Sequence, residues 1–149
     1  GTNIQGAETS KKDVSGDGQK IERVENVERK EVLNIVASLN GGSSEAVKEM
    51  LKDALAQAFS EGLPETINGK KVQFMFNLRV DDRAASDYGT VNANATLRWE
   101  VTESQSSKLI KRGSTSIIGP AAFNINSART KAITDALEKI SPEIRNLAQ

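Results

Sequence analysis

The sequence predicts an α+β domain with the element order β-α-β-β-β-α, in which an antiparallel sheet carries two helices packed on one face. Apolar and polar residues alternate over 70–81 and 90–103, as in half-buried strands. Apolar residues recur at helical spacing over 44–61 and 127–147. Packing both helices against the apolar face of one sheet buries all of these surfaces and leaves the other sheet face open.

The first 30 residues are dominated by Gly, Ser, Asn, Gln and charged side chains. Such a segment buries too little apolar surface to offset its ordering entropy. We therefore expect residues 1–30 to be a disordered polar tether and residues 31–149 to be a single domain. Within the tether, residues 13–18 resemble the start of a calcium loop, but Val24 stands where that loop needs a bidentate Glu, which favours a linker.

The first half of the domain begins with a strand at 31–39, which Asn40, Gly41 and Gly42 end. A helix at 44–61 follows, with Ser43 or Ser44 as its N-cap and Gly62 as its stop signal. An Asn-Gly pair at 68–69 then predicts a hairpin that leads into the strand at 70–81.

The second half continues with a strand at 90–103, a turn at 104–107 and a strand at 108–118. Gly113 either weakens this last strand or marks a β-bulge in it. The last helix spans 127–147, with Asn126 or Ser127 as its cap. Because Pro142 lies inside the helical pattern, we expect a kink or a break near Ser141.

Composition excludes several classes of chemistry. The 149 residues include no His and no Cys, which rules out Ser-His-Asp and Cys-His catalysis and Cys/His zinc sites. The 20 basic residues balance 20 acidic ones and aromatic residues make up 4%, which argues against nucleic-acid binding. We expect a protein that is not an enzyme and that uses no cofactor and no metal.

Two groups of side chains are candidate binding sites. A polar row on the predicted open face is a candidate partner-binding surface, although a simply solvated sheet face is the plainer reading; its members are Gln73, Asn77, Arg79, Asn92, Asn94, Thr96 and Arg98. Lys108, Lys111 and Arg112 form a candidate anion patch at the start of the following strand.

A third group of side chains leaves an enzymatic alternative open. Asp81, Asp82 and Asp87 crowd the loop after the second long strand, near Arg83 and Tyr88. Paired carboxylates hold Mg²⁺ or perform acid–base steps, so a metal-dependent hydrolase at 81–88 is one interpretation. The other interpretation is an acidic loop that serves only solubility.

A family resemblance lies in the polar segment after Gly1-Thr2-Asn3 and in the stretches Leu97–Glu103, Lys108–Gly113 and Ser127–Ile133. In these parts the chain is similar to small bacterial envelope lipoproteins of the lipopolysaccharide-assembly and curli-secretion kinds. The resemblance implies a non-enzymatic periplasmic module that binds a protein partner. It also implies an anchor in the outer membrane through a lipidated cysteine upstream of Gly1. The alternative is a soluble adaptor that pairs through a sheet edge or its polar face, with a homodimer as one form of such pairing.

Overall fold

In the computed structural model, two helices cover one face of a mixed six-stranded sheet. The structure describes residues 33–83 and 88–148. The predicted tether at 1–30, its Asp13–Gly18 segment and Asp87 lie outside the described residues. The elements are β1 (Leu33–Leu39), β2 (Gly42–Ser43), α1 (Glu45–Ala58), β3 (Thr66–Ile67), β4 (Lys70–Asp82), β5 (Ala93–Glu103), β6 (Leu109–Ile118) and α2 (Ile125–Leu147).

The sheet confirms the predicted α+β class, with the strand order β2-β1-β4-β5-β6 and with β3 paired to β4. Strands β4, β5 and β6 form the predicted antiparallel meander. Strand β1, however, pairs with β4 in parallel, from Leu33 opposite Phe74 to Leu39 opposite Val80, so the sheet is mixed rather than antiparallel throughout. The reason is that α1 carries the chain back along the sheet before β4 begins, and such a crossover joins parallel strands.

The core lies between the sheet and the two helices. Alternate residues of β4 and β5 are buried from Val72 to Val80 and from Ala93 to Val101. The largest fully buried side chains include Trp99, Phe74 and Phe76 from the sheet, and the rings of the two phenylalanines lie 6.3 Å apart. Facing them from the helices are Val47, Leu51, Leu55, Ala132, Ile133, Ala136, Leu137, Ile140 and Ile144.

Gly113 has a different role from the predicted bulge. The register shift in the β5–β6 ladder lies between Val101 and Thr102, near the start of β6. Gly113 instead pairs with Trp99, and a Cβ at Gly113 would lie 2.7 Å from the indole Nε1. The glycine is therefore required because the indole approaches the β6 backbone too closely for any side chain.

Helix α2 begins earlier than predicted and continues through its proline. Its N-cap is Asn124, whose Oδ1 accepts a hydrogen bond of 2.8 Å from the backbone N–H of Ser127, so the predicted caps at Asn126 and Ser127 are wrong. Pro142 lies inside the continuous helix, so of the kink or break predicted near Ser141 the break is not observed. Buried residues on both sides of the proline hold the helix against the sheet, and the Ser141 hydroxyl donates to the Leu137 carbonyl at 2.7 Å.

Helix α1 is capped by Ser44, as predicted, and its hydroxyl oxygen accepts a hydrogen bond of 3.1 Å from the backbone N–H of Val47. The helix ends at Ala58 rather than residue 61. The Arg145 guanidinium of α2 lies 5.0 Å from the centre of the Phe59 ring and donates to the Ala58 carbonyl at 2.7 Å, so it stabilises this end. Among the described helices, neither is both long and apolar enough to cross a bilayer.

Candidate functional site

The sheet face turned away from the helices, called the open face below, carries most of the predicted partner-binding row. The members of the row that lie on this face occupy alternate, non-core positions of β4 and β5. The register places Asn77 opposite Arg98 and Arg79 opposite Thr96, so these four side chains form two adjacent pairs. Gln73 and Asn94 lie on the same face, whereas Asn92 precedes β5 and its amide lies 3.4 Å from the Gly119 carbonyl.

The open face combines exposed hydrogen-bonding groups with a few apolar side chains. Val36 and Met75 are 51% and 38% exposed there. Arg79 is paired with Asp81 at 2.9 Å, while Arg98 forms no ion pair with another described residue. The Thr96 and Ser116 hydroxyls lie 3.3 Å apart, which extends the polar surface to β6. The open face therefore presents donors, acceptors and apolar groups to the solvent side by side.

The three cations of the predicted anion patch are divided between two faces. Arg112 lies opposite Glu100, which belongs to the open face. Lys111 lies opposite Val101, a core position, so it belongs to the helix side of the sheet. Lys108 precedes β6. Because successive strand residues point to opposite faces, Lys111 and Arg112 are not arranged to hold one small anion together.

The carboxylates at the end of β4 are held by cations and amides. Asp82 accepts two hydrogen bonds from Arg129, with Nε 2.9 Å from Oδ1 and Nη2 2.7 Å from Oδ2. The Asn40 side-chain amide donates to Asp82 Oδ2 at 3.0 Å, and its oxygen accepts from the Asp82 backbone N–H at 2.8 Å. Asp82 thereby joins the end of β4 to the β1–β2 turn and to the first turns of α2.

The electrostatics of this cluster fit a structural role. The hydrogen bonds from Arg129 lower the pKa of Asp82, Asn40 adds to that effect, and burial opposes it. The same contact raises the pKa of Arg129. Within the described ranges, no three acidic side chains lie close enough to hold a metal ion. Arg129 was not predicted as the partner of Asp82 because the two residues lie 47 positions apart and no local pattern marks the pair.

A groove lies between the edge strand β6 and helix α2. It has a volume of about 500 Å³, and its lining consists of Ser116, Ile117, Ile118, Asp135, Glu138 and Lys139. A second cavity, of about 310 Å³, lies between the helices beside Arg145. Neither the groove nor this cavity was predicted, because each depends on how α2 lies across the sheet.

Three large side chains are also exposed at the α2 end of the sheet, and of these only Tyr88 was named in a predicted site, the loop at 81–88. Phe123 is 85% exposed, Tyr88 is 88% exposed and Ile118 is 76% exposed. The bridge between Val91 and Ala122 brings the segments that carry Tyr88 and Phe123 together. Their exposure depends on tertiary packing, which a sequence pattern does not reveal.

Comparisons with known proteins identify a similar fold but give no close relative in sequence. No family model matches the sequence, and no curated protein matches it. Among solved structures, the chain is similar to a "putative lipoprotein" from Caulobacter crescentus CB15, with a TM-score of 0.50 and 13% identity over 78% of this chain and 89% of that one.

Two further solved structures match with lower scores. A minor lipoprotein from Acinetobacter baumannii has a TM-score of 0.40 and 11% identity, with 78% of this chain and 94% of that one covered. A Xanthomonas campestris protein of the DUF330 family has a TM-score of 0.41 and 17% identity, with 77% and 82% covered. At such identities a likeness shows fold alone, and of these three proteins the one from Caulobacter has the TM-score that supports a shared fold. The chain thus shares a fold with that protein across most of both chains.

Proposed function

We propose that this chain is the folded module of a bacterial envelope lipoprotein that binds a protein partner and performs no catalysis. In this proposal a lipidated cysteine upstream of Gly1 anchors the chain to the outer membrane, and the domain stands in the periplasm. The supporting observation is the fold shared with the Caulobacter "putative lipoprotein" over 78% of this chain.

The composition of the first 30 residues agrees with this proposal. The segment is polar and carries many charged residues, a composition that keeps linkers extended. An unfolded chain of that length has a typical end-to-end distance of roughly 30 Å. A tether of this reach holds a domain clear of lipid headgroups and within reach of a partner.

The open face is the surface that we assign to the partner. Asn77, Arg79, Thr96 and Arg98 form a continuous polar centre, and Val36 supplies apolar area beside it. Interfaces between separately folded proteins mix polar and apolar groups in this way. Arginine is also enriched at such interfaces, and Arg98 is exposed at the centre of this one.

The soluble adaptor remains a second candidate, because β6 forms one end of the strand order and its outer edge is uncovered within the described residues. The hydrolase at 81–88 has weaker support. Asp82 is engaged by Arg129 and Asn40, and Asp81 by Arg79, which leaves neither described carboxylate poised for a metal or a substrate.

The experiment that tests membrane attachment uses the natural gene, expressed in its own host with a C-terminal tag. Cells grown with an alkyne fatty acid are fractionated, and the tagged protein is examined for label. We expect labelled protein in the membrane fraction, with the label on a residue that precedes Gly1. The matched control starts at a Met placed before Gly1, and it should be unlabelled and soluble. Unlabelled natural protein in the soluble fraction would reject the lipoprotein and favour the adaptor.

A further inference from the structure

The outer edge of β6 is equipped for strand pairing. The backbone N–H of Gly119 donates to the Ala93 carbonyl at 2.9 Å, so residue 119 bonds toward β5. Because this direction alternates along a strand, the backbone groups of Arg112, Ser114, Ser116 and Ile118 point away from β5. Within residues 33–83 and 88–148, no strand pairs with this edge.

The edge lacks the usual protection against pairing over most of its length. Charged side chains, prolines and bulges normally blunt an exposed edge strand. In β6 the bulge and both cations lie in the first half, whereas Gly113–Ile118 contains neither a charge nor a proline. This uncharged run is therefore open to pairing with another strand.

The helix side of β6 carries opposite charges at its two ends. Lys111 lies at one end. At the other end, Ile117 lines the groove together with Asp135, Glu138 and Lys139, which gives the groove a net negative charge. Neither Lys111 nor the two carboxylates form an ion pair with another described residue. An edge with separated, opposite charges is complementary to its own antiparallel copy.

We propose that two copies of this chain pair antiparallel through β6, around a twofold axis at Ser114. Ser114 then lies opposite Ser114 of the second copy, and Arg112 lies opposite Ser116 of that copy. Outward-pointing backbone groups meet outward-pointing groups in this register, and each facing pair lies on the same side of the sheet. The contact is isologous, so it closes after two copies.

This register also matches the side chains. Lys111 lies opposite Ile117 of the second copy, at the groove that Asp135 and Glu138 line, and the twofold axis repeats the contact. The two Arg112 side chains lie about 14 Å apart, at four residues of strand rise. Ile118, which is 76% exposed, lies beside the Leu109 end of the second copy, and Leu109 is 44% exposed. A parallel pairing would instead place Lys111 next to Lys111.

The first test is sedimentation equilibrium of the full 149-residue chain and of the variant Ser114→Pro. Proline at 114 removes an outward N–H and no hydrogen bond to β5, so we expect folded monomer in place of dimer. The control Ser114→Ala keeps the N–H and should remain dimeric. A wild-type chain that is monomeric at every concentration, even one that captures a strand from another protein, overturns the proposal. A dimer that Ser114→Pro leaves intact overturns it as well.

The second test is a charge exchange. Lys111→Glu should raise the dimer dissociation constant about tenfold or more, because it faces Asp135 and Glu138 of the second copy. Adding Glu138→Lys to that variant should restore most of the lost affinity. Lys131→Glu, on an exposed part of α2, is the control for net charge. Equal effects of Lys111→Glu and Lys131→Glu would contradict the register.

The third test uses the absence of cysteine from the sequence. Ser114→Cys provides a single thiol that should form an intermolecular disulfide, because facing strand residues lie about 5.5 Å apart at Cα. Ser116→Cys places the two thiol-bearing residues about 14 Å apart and should not cross-link. Efficient cross-linking of Ser116→Cys with none of Ser114→Cys would overturn the register.

Discussion

Trp99 on β5 packs against the backbone of Gly113 on β6 so closely that residue 113 has no room for a side chain. Trp99 is 1% exposed, and its Nε1 forms no hydrogen bond with a described residue. The sequence pattern correctly placed Trp99 in the core. It did not explain Gly113, because a glycine that accommodates a neighbouring ring and a glycine in a bulge look alike in sequence.

Replacing Gly113 by alanine should destabilise the domain. The added Cβ would lie 2.7 Å from Trp99 Nε1 and 3.0 Å from Cε2, and the indole is packed too tightly to move away. We expect a loss of about 1–3 kcal/mol in the free energy of unfolding, measured by urea denaturation. Gly42→Ala is the matched control, since its nearest atom is 4.0 Å away. Equal losses in the two variants would contradict this role of Gly113.

Asp82 should make stability depend on pH in the acid range. Its pKa in the folded chain lies below its ordinary value of 3.8 because Arg129 and Asn40 favour the charged form. The resulting stabilisation is therefore fully present above the unfolded value and is lost as the pH falls through the folded value. Asp82→Asn should cost roughly 1–3 kcal/mol at neutral pH, and its difference from wild type should shrink below about pH 4.

The matched control for that measurement is Asp81→Asn. Asp81 is paired with Arg79 on a more exposed part of β4, where an ion pair contributes about 0–1 kcal/mol. A pH profile in which Asp82→Asn stays parallel to wild type down to acid pH would show that the carboxylate charge is not what holds the Arg129 contact.

At the level of the elements, strand faces were predictable and strand directions were not. Alternation in β4 and β5 identified the buried residues because one side of the sheet is packed and the other is exposed. The same pattern does not distinguish a parallel neighbour from an antiparallel one, so the direction of β1 relative to β4 required the structure. Direction follows from the path of α1, which is a property of the whole chain.

Helix α2 shows why cap positions are hard to predict. Asn124, Asn126 and Ser127 are all good N-cap residues, and they lie within four positions of one another. The bridge between Val91 and Ala122 fixes the chain just before Asn124 and so selects it. Pro142 is tolerated because Ile140 and Ile144 are both buried against the sheet.

Replacing Asn124 by alanine should therefore destabilise α2. The Asn124 side chain satisfies the backbone N–H of Ser127, and loss of such a cap costs about 1 kcal/mol. Asn126→Ala, two residues later and exposed, should change the free energy of unfolding by much less. Thermal or urea unfolding of both variants measures the difference. A larger effect of Asn126→Ala would restore the cap that the sequence alone suggested.

At the scale of the whole molecule, the candidate site was predictable where it depends on one face and not where it depends on several elements. Six residues of the predicted row lie on the open face because they occupy alternate positions of neighbouring strands. The predicted anion patch mixes Lys111 with Arg112, which face opposite sides. The groove at β6 was missed because α2 forms its other wall, and no local sequence pattern shows how that helix lies against the strand.

The two proposed contacts use different surfaces of the domain. We propose the β6 edge for a second copy of the chain and the open face for another envelope protein. Both surfaces share the polar positions Ser114 and Ser116, yet the centre of the open face lies on β4 and β5, away from the proposed twofold axis. A dimer would therefore present two open faces in one continuous sheet.

Photo-cross-linking in the native host tests the central claim most directly. A photoreactive amino acid at Asn77, on the open face, should give one discrete cross-linked product with another envelope protein, and Arg98→Glu should abolish it. The same amino acid at Asp53, exposed on α1, should give no such product. Equal products from both positions, or none from Asn77 in cells where the protein is membrane-bound, would contradict the assignment of the open face as a partner-binding surface.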